Sequence, residues 1–131
     1  MSRTVCVGKP DAEFERAYNA VKTASILGAK YVKAGAEAQS VDEEIRGIIE
    51  DMGYGGSFRH AAGHGIGLDY IELPIVGHKS NEILRTGNLM VIEPGVYLQG
   101  QYGIRIEDTI TLQNGKVKSF MSKTDRNLII L

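Results

Sequence analysis

Helical spacing of apolar residues marks the first part of the chain. From Pro10–Asp11 to about Ala34–Gly35, apolar positions recur at helical intervals with small residues between them, which predicts a helix packed closely on a sheet. A second helical pattern covers Val41–Met52. Ser40 and Glu43 stand at its start with the spacing of a capping box, so this helix is predicted to begin there.

Alternating or short apolar runs mark the rest of the chain and predict strands. The predicted strands are Arg3–Val7, Leu89–Ile92, 104–112 and Leu128–Leu131. Asn114–Gly115 is a typical two-residue hairpin turn, and it leads into a further strand at Val117–Phe120. Two helices packed on a mostly antiparallel sheet define the predicted fold class, α+β.

Composition and charge narrow the class of protein without naming a function. The 131 residues, 43% hydrophobic and 24% charged, predict one globular domain over residues 1–131. A net charge of -1 gives no electrostatic basis for binding nucleic acid or an acidic membrane. Cys6 is the single cysteine, so no internal disulfide forms. No signal-peptide or membrane-spanning pattern is present, and the expected location is cytoplasmic.

Three separated segments carry the candidate chemistry: His60–Gly67, Ile92–Gly95 and Gly103–Asp108. They place one imidazole and two carboxylates beside glycines or inside an alternating strand. Side chains of this kind, on three different segments, converge when a divalent metal ion holds them together.

Each segment also has an ordinary explanation when it is taken alone. Arg105 and Glu107 are two residues apart and would share a solvent-facing side of a strand. Glu93 precedes a Pro-Gly pair, which is a common turn. His64 would more often be a structural or surface histidine than a metal ligand. The three segments in this order are much more specific than any one of them.

Together these segments resemble the pita-bread metallohydrolases, the family of Xaa-Pro dipeptidases and aminopeptidases P, with methionine aminopeptidases and creatinase as relatives. The matching segments are Gly63–Leu68, Ile92–Tyr97 and Gly103–Asp108. In addition, Arg3–Pro10 resembles the segment that follows the second aspartate ligand of the family. The resemblance covers nearly the whole chain and implies the second half of the pita-bread (creatinase/aminopeptidase) fold, without its N-terminal half.

The resemblance also implies a metal centre. His64, Glu93 and Glu107 match three of the family's five ligands, and Glu107 would bridge two ions. Glu93 would in addition be catalytic, moving a proton from the attacking water to the leaving amine. His60 would lie near the substrate and Arg105 would support the site. Manganese, cobalt or zinc suits such ligands, with two ions in the complete site and at most one here, because two aspartates are missing.

One residue departs from the pattern of the active peptidases. Ile71 stands where they carry a substrate-contacting histidine, and isoleucine cannot donate a hydrogen bond. We therefore expect a fragment of a peptidase that cleaves bonds next to proline, inactive alone. A non-catalytic pita-bread binding module and a creatinase-like carbon–nitrogen hydrolase fragment are the alternatives.

The expected partners follow from the same resemblance. They are a peptide substrate in the complete enzyme and a missing N-terminal half. A homodimer is also expected, because an isolated half would expose strand edges and an apolar face. Nucleic acid and membranes are not expected to bind.

Overall fold

The computed structural model covers residues 1–131 and shows two helices beside a mostly antiparallel sheet. The helices are α1 (Ala12–Gly28) and α2 (Ala38–Asp51), followed by a 3₁₀ turn at Gly55–Ser57. The strands are β1 (Val5–Cys6), β2 (Gly63–Gly65), β3 (Glu72–Val76), β4 (Leu89–Ile92), β5 (Gly95–Leu98), β6 (Tyr102–Arg105), β7 (Asp108–Gln113), β8 (Lys116–Ser119) and β9 (Ile129–Ile130).

The central sheet has five strands in the order β3-β2-β4-β7-β8, and every neighbouring pair is antiparallel. β5 and β6 form a separate antiparallel hairpin, and β1 pairs in parallel with β9. The predicted α+β class, with two helices and a mostly antiparallel sheet, is confirmed. In this order β2 lies inside the sheet, between β3 and β4.

The first helix begins where the sequence predicted and ends earlier. Asp11 is its N-cap, and the carboxylate accepts a hydrogen bond from the Phe14 amide at 2.7 Å. The helix ends at Gly28, where a methyl group would lie 2.3 Å from Ile45 Cγ1 of α2. Val32 is buried in the core, but from the turn that follows the helix. Gly28 therefore lets α1 approach α2 closely, while α1 also contacts the β5–β6 hairpin.

The predicted capping box at the start of α2 is wrong. The helix begins at Ala38, with Glu37 as N-cap and no side-chain hydrogen bond to a helix amide. The Ala38 amide donates to the Glu82 carbonyl at 2.9 Å, so a distant segment satisfies the first helix donor. The Ser40 hydroxyl instead donates to the Glu37 carboxylate at 3.4 Å. A tertiary contact has replaced the local cap.

The predicted strand Leu89–Ile92 is confirmed with its bounds as β4, whereas the other predicted strands are shortened, shifted or divided. Only Val5–Cys6 of the first predicted strand is paired, and its partner is Ile129–Ile130. The predicted strand over 104–112 is interrupted at Ile106, whose amide donates to the Pro94 carbonyl at 3.3 Å. Buried and more open positions alternate through this interruption until Thr111.

The hairpin turn was predicted correctly. Asn114 and Gly115 connect β7 to β8, and both have positive φ, 50° and 76°. A two-residue turn of this kind matches the twist of the flanking strands, which is why Asn-Gly is favoured there.

The core fills the space between the helices and the sheet. Its largest fully buried aliphatic side chains, with Met90, are Ile45, Ile49, Leu84, Ile104, Ile106 and Leu112. Neither helix combines the length and the apolar character that crossing a membrane requires.

Replacing Gly63 by alanine should lower the free energy of unfolding by about 3 kcal/mol. The new methyl group would lie 2.0 Å from the Val91 carbonyl oxygen, and backbone cannot move away easily. Gly47 in α2 is the matched control, because nothing lies within 4 Å of a methyl group there. Gly47→Ala should raise the unfolding free energy by about 0.5–1 kcal/mol. Urea denaturation measures both, and equal stabilities would contradict the close approach of β2 and β4.

Candidate active site

His64 is buried because its strand lies unusually close to both neighbours. Methyl groups on Gly63 and Gly65 would lie 2.0 Å from the Val91 carbonyl oxygen and 2.3 Å from that of Leu73. Only glycines fit at such a distance, so they let β2 enter the sheet with His64 between them. His64 as a whole is 6% exposed.

The hydrogen bond of His64 fixes its tautomer. Nδ1 lies 2.8 Å from the Gly65 carbonyl oxygen, and since a carbonyl only accepts, Nδ1 carries the proton. In the neutral ring, Nε2 therefore presents a lone pair. This is the arrangement in which a histidine binds a metal ion, with the other ring nitrogen donating to a carbonyl.

Glu93 faces that lone pair. It directly follows β4, is 8% exposed, and its amide donates to the Ala62 carbonyl at 2.8 Å. Its Oε1 lies 3.6 Å from His64 Nε2. Two acceptors that face each other in a buried place need a cation or a proton between them. His64 and Glu93 thus supply two donors of the kind that a divalent metal ion binds.

Arg105, Tyr97 and His60 form a hydrogen-bonded chain beside Glu93. Arg105 Nη1 lies 3.5 Å from Glu93 Oε2, and Arg105 Nε donates to the Tyr97 hydroxyl at 2.8 Å. The hydroxyl lies 2.9 Å from His60 Nε2, while His60 Nδ1 donates to the Ala61 carbonyl at 2.8 Å. His60 Nε2 is thus the acceptor of the tyrosine proton.

Tyr97 is a site residue to which the sequence analysis assigned no role. Burial raises the pKa of its hydroxyl, against the opposing influence of Arg105, so the group keeps the proton it donates to His60. Gly103 lies opposite Tyr97 in the β5–β6 hairpin, and a methyl group there would lie 3.0 Å from the ring. The feature that could have marked Tyr97 as important is that this aromatic residue lies opposite a glycine, Gly103, in the hairpin.

Glu107 forms no hydrogen bond or ion pair with His64 or Glu93 in this structure. It accepts hydrogen bonds from the Ser2 hydroxyl and, at 3.3 Å, from the Met1 amino group. Burial raises the pKa of Glu107, but these donors outweigh it, and the net pKa is lowered. No group of three or more His, Cys, Asp or Glu side chains is close enough to hold a metal ion. Four of the five predicted site residues, His60, His64, Glu93 and Arg105, line one cavity. The charge of Arg105 also contributes to the lowered pKa of Glu107.

Asp42 and Arg46 hold the segment that leads to the site, and the sequence analysis missed them. Asp42 is fully buried on α2 and accepts from the Ala62 amide at 2.9 Å and from Arg46 Nη2 at 3.0 Å. Arg46 also donates to the carbonyls of Phe58 and His60, at 2.9 Å each. The sequence feature that could have identified them is their spacing: they are oppositely charged and four residues apart, and Asp42 lies on the apolar side of the helix.

Ile71 lies at the wall of the cavity in front of these groups. The cavity has a volume of about 250 Å³. Its polar side is formed by His60, His64, Glu93 and Arg105, and its apolar side includes Ile71 and Ile75. The residue that departs from the family pattern therefore faces the candidate site.

The chain belongs to metallopeptidase family M24, whose family model matches residues 1–114. It is similar to the Xaa-Pro dipeptidase of Pyrococcus horikoshii, with 38% identity over 130 residues. That alignment covers 98% of this chain and 36% of the longer protein. The chain thus spans about a third of the length of the curated relatives it matches.

Solved structures agree with the family assignment. The prolidase from Thermococcus sibiricus is 43% identical and superposes with a TM-score of 0.93, over 98% of this chain and 35% of that one. The X-Pro aminopeptidase from Thermotoga maritima is 32% identical with a TM-score of 0.92, over 98% and 36%. The fold is therefore the C-terminal part of the pita-bread fold, as the sequence resemblance implied.

Asp42→Asn should lower the free energy of unfolding by about 3 kcal/mol, because it leaves Arg46 without its buried counter-charge. Glu43→Gln is the matched control on the next residue, which is exposed, and should change the stability by less than about 0.5 kcal/mol. Thermal or urea denaturation measures both changes. A stable Asp42→Asn variant would show that Arg46 does not depend on this ion pair.

Proposed function

We propose that this chain supplies the C-terminal part of the catalytic domain of a metallopeptidase that hydrolyses peptide bonds next to proline. The observation that carries the proposal is the buried pair of acceptors, His64 Nε2 and Glu93 Oε1, 3.6 Å apart. Relatives named Xaa-Pro dipeptidase and prolidase favour this reaction over that of a creatinase-like hydrolase.

His64, Glu93 and Glu107 are the proposed metal ligands. Manganese, cobalt or zinc suits one imidazole and two carboxylates, and when bound it supplies Lewis acidity and an activated water. The oxygen lone pairs of Glu107 that accept from Ser2 and the amino group are those that a cation would use. Metal binding at Glu107 would therefore compete with the hydrogen bond from Ser2.

The remaining side chains of the site either transfer protons or orient the groups that do. Glu93 would accept a proton from the attacking water and pass it to the leaving amine. Arg105 orients the Glu93 carboxylate and, through Tyr97, fixes the orientation of His60. His60 faces the cavity, where it binds the substrate.

Residues 1–131 form one domain in this proposal, and the chain is inactive by itself. The two aspartate ligands of the family come from an N-terminal half, and the complete enzyme binds a peptide substrate. An isolated chain pairs its exposed edges as a homodimer. Ile71 on the cavity wall favours a second candidate, a non-catalytic binding module, because it removes a hydrogen-bond donor from the site.

Glu93→Gln should weaken manganese binding by about tenfold or more, since even residues that only support a ligand contribute about 10–100-fold. Glu50→Gln, at an exposed position of α2, is the matched control and should bind manganese like the unchanged chain. Isothermal titration calorimetry measures both affinities, and circular dichroism checks the fold. Equal affinities for the two variants would exclude Glu93 as a ligand.

The chain loaded with manganese and passed through gel filtration should retain at most one ion and should not cleave Xaa-Pro dipeptides. Elemental analysis and an amine-release assay measure these two quantities. Two ions per chain would mean that other groups replace the aspartates, for example across a dimer. Hydrolysis by the isolated chain would contradict its proposed inactivity.

A further inference from the structure

The ion pair of Asp42 and Arg46 lies on α2, outside the candidate site, and is largely shielded from water. The side chain of Asp42 is fully buried, and that of Arg46 is 26% exposed. Asp42 Oδ2 accepts from Arg46 Nε at 3.1 Å, and Oδ1 accepts from Nη2 at 3.0 Å. The carboxylate and the guanidinium therefore form a bidentate pair, which fixes the orientation of both groups.

Stability alone gives no reason for two charges at this place. Burying an ion pair costs about as much free energy as the attraction returns, and apolar residues of the same volume are often equally stable. The pair also makes three hydrogen bonds outside α2, with the backbone of Phe58, His60 and Ala62. All three residues lie in the segment that leads into β2 and His64.

The contact between Asp42 and Ala62 leads to Glu93. Asp42 Oδ1 accepts from the Ala62 amide at 2.9 Å, and the Ala62 carbonyl accepts from the Glu93 amide at 2.8 Å. Ala62 is fully buried, so water cannot replace either partner. Since Ala62 is also two residues before His64, its position affects both members of the pair formed by His64 and Glu93.

The contacts of Arg46 lead to His60 instead. The guanidinium donates to the carbonyls of Phe58 and His60 at 2.9 Å each, and its central carbon lies 4.4 Å from the centre of the Phe58 ring. The Phe58 ring meets the His60 ring edge-on, with 5.0 Å between the two centres. Arg46 therefore holds the backbone of His60 directly and its imidazole by way of Phe58.

We propose that Asp42 and Arg46 are positioning residues of the candidate site and that each has its own target. Asp42 fixes Glu93 relative to His64, and Arg46 fixes the imidazole of His60. Neither residue lines the cavity in front of His64 and Glu93, so both act through other groups. The proposal rests on the proposed peptidase function, in which Glu93 binds the metal ion and His60 binds the substrate.

Hydrogen exchange of the 131-residue chain, without metal or peptide, tests the role of Asp42. Asp42→Asn should speed the exchange of the Glu93 amide about tenfold more than that of Val21, which lies in the middle of α1. A purely structural role would lower the stability of the whole fold and speed both amides by the same factor. Equal changes at the two amides would therefore overturn the proposal. Glu43→Gln, at an exposed position, is the control and should change neither.

Manganese affinity, measured by isothermal titration calorimetry, tests whether Asp42 acts through Glu93. Asp42→Asn should weaken binding about tenfold, the effect expected of a residue that supports a ligand. In the Glu93→Gln background the same substitution should cause no further loss, because the group that Asp42 positions is no longer a ligand. A further tenfold loss in that background, or an unchanged affinity of Asp42→Asn, would count against the proposal.

The ¹⁵N spectrum of the imidazoles tests the role of Arg46. The hydrogen bonds of His60 hold its ring in the Nδ1–H tautomer. Arg46→Lys keeps a positive charge beside Asp42 but replaces the planar fork of donors by a single nitrogen. The signals of His60 should therefore move toward the average of the two tautomers, while those of His64 stay in place. Unchanged His60 signals, or equal shifts in both histidines, would contradict the role of Arg46.

A second variant covers the case in which Asp42→Asn does not fold, as judged by circular dichroism. Asp42→Leu/Arg46→Met leaves no unpaired charge, yet it also lacks the acceptor for the Ala62 amide. The same exchange and manganese results are expected from it. If the unchanged chain binds no manganese, the proposed function fails, whereas the exchange and imidazole measurements need no metal and still decide the positioning.

Discussion

The close approach of β2 to its two neighbours is the constraint on which the site depends. Gly63 and Gly65 leave no room for a side chain against the strands on either side, so only His64 projects from β2. Ala62, just before the strand, is bonded on both sides: its amide to Asp42 and its carbonyl to the amide of Glu93. Helix α2, β2 and the end of β4 are thus joined at one residue.

This framework holds His64 and Glu93 close together, although each of them would be better solvated in water. The lone pair of His64 and the carboxylate of Glu93 face each other in a nearly dry position, which is unfavourable unless a cation or proton lies between them. Arg105 offsets part of the negative charge of Glu93. Arg105 also donates a hydrogen bond to the Tyr97 hydroxyl, which in turn is hydrogen-bonded to His60. The same packing that stabilises the fold therefore also fixes the positions of these polar groups.

Membership of the M24 family and the detailed chemistry of this chain are separate matters. The scaffold superposes on the prolidase from Thermococcus sibiricus with a TM-score of 0.93, and His64, Glu93 and Arg105 lie together in it. The wall facing them carries Ile71 and Ile75, so the cavity has a polar side and an apolar side.

The sequence by itself determined the local elements, because their causes are local. Asp11 caps α1 and Asn114–Gly115 forms the hairpin turn through contacts with near neighbours in the chain. The sequence also identified His64, Glu93 and Arg105 through motifs on separate segments, which the fold then brought together.

Tertiary structure decided what depended on distant partners. Helix α2 begins at Ala38 and not after the predicted Ser40 cap, because the Ala38 amide donates a hydrogen bond to the Glu82 carbonyl. Asp42 looked like one helix carboxylate among several, and its role appears only where the Ala62 amide meets it. Glu107 is the clearest case, because its carboxylate bonds to Ser2, 105 residues away in the chain. No periodicity encodes such a contact, since the free energy of a buried hydrogen bond depends on which groups the whole fold brings within reach.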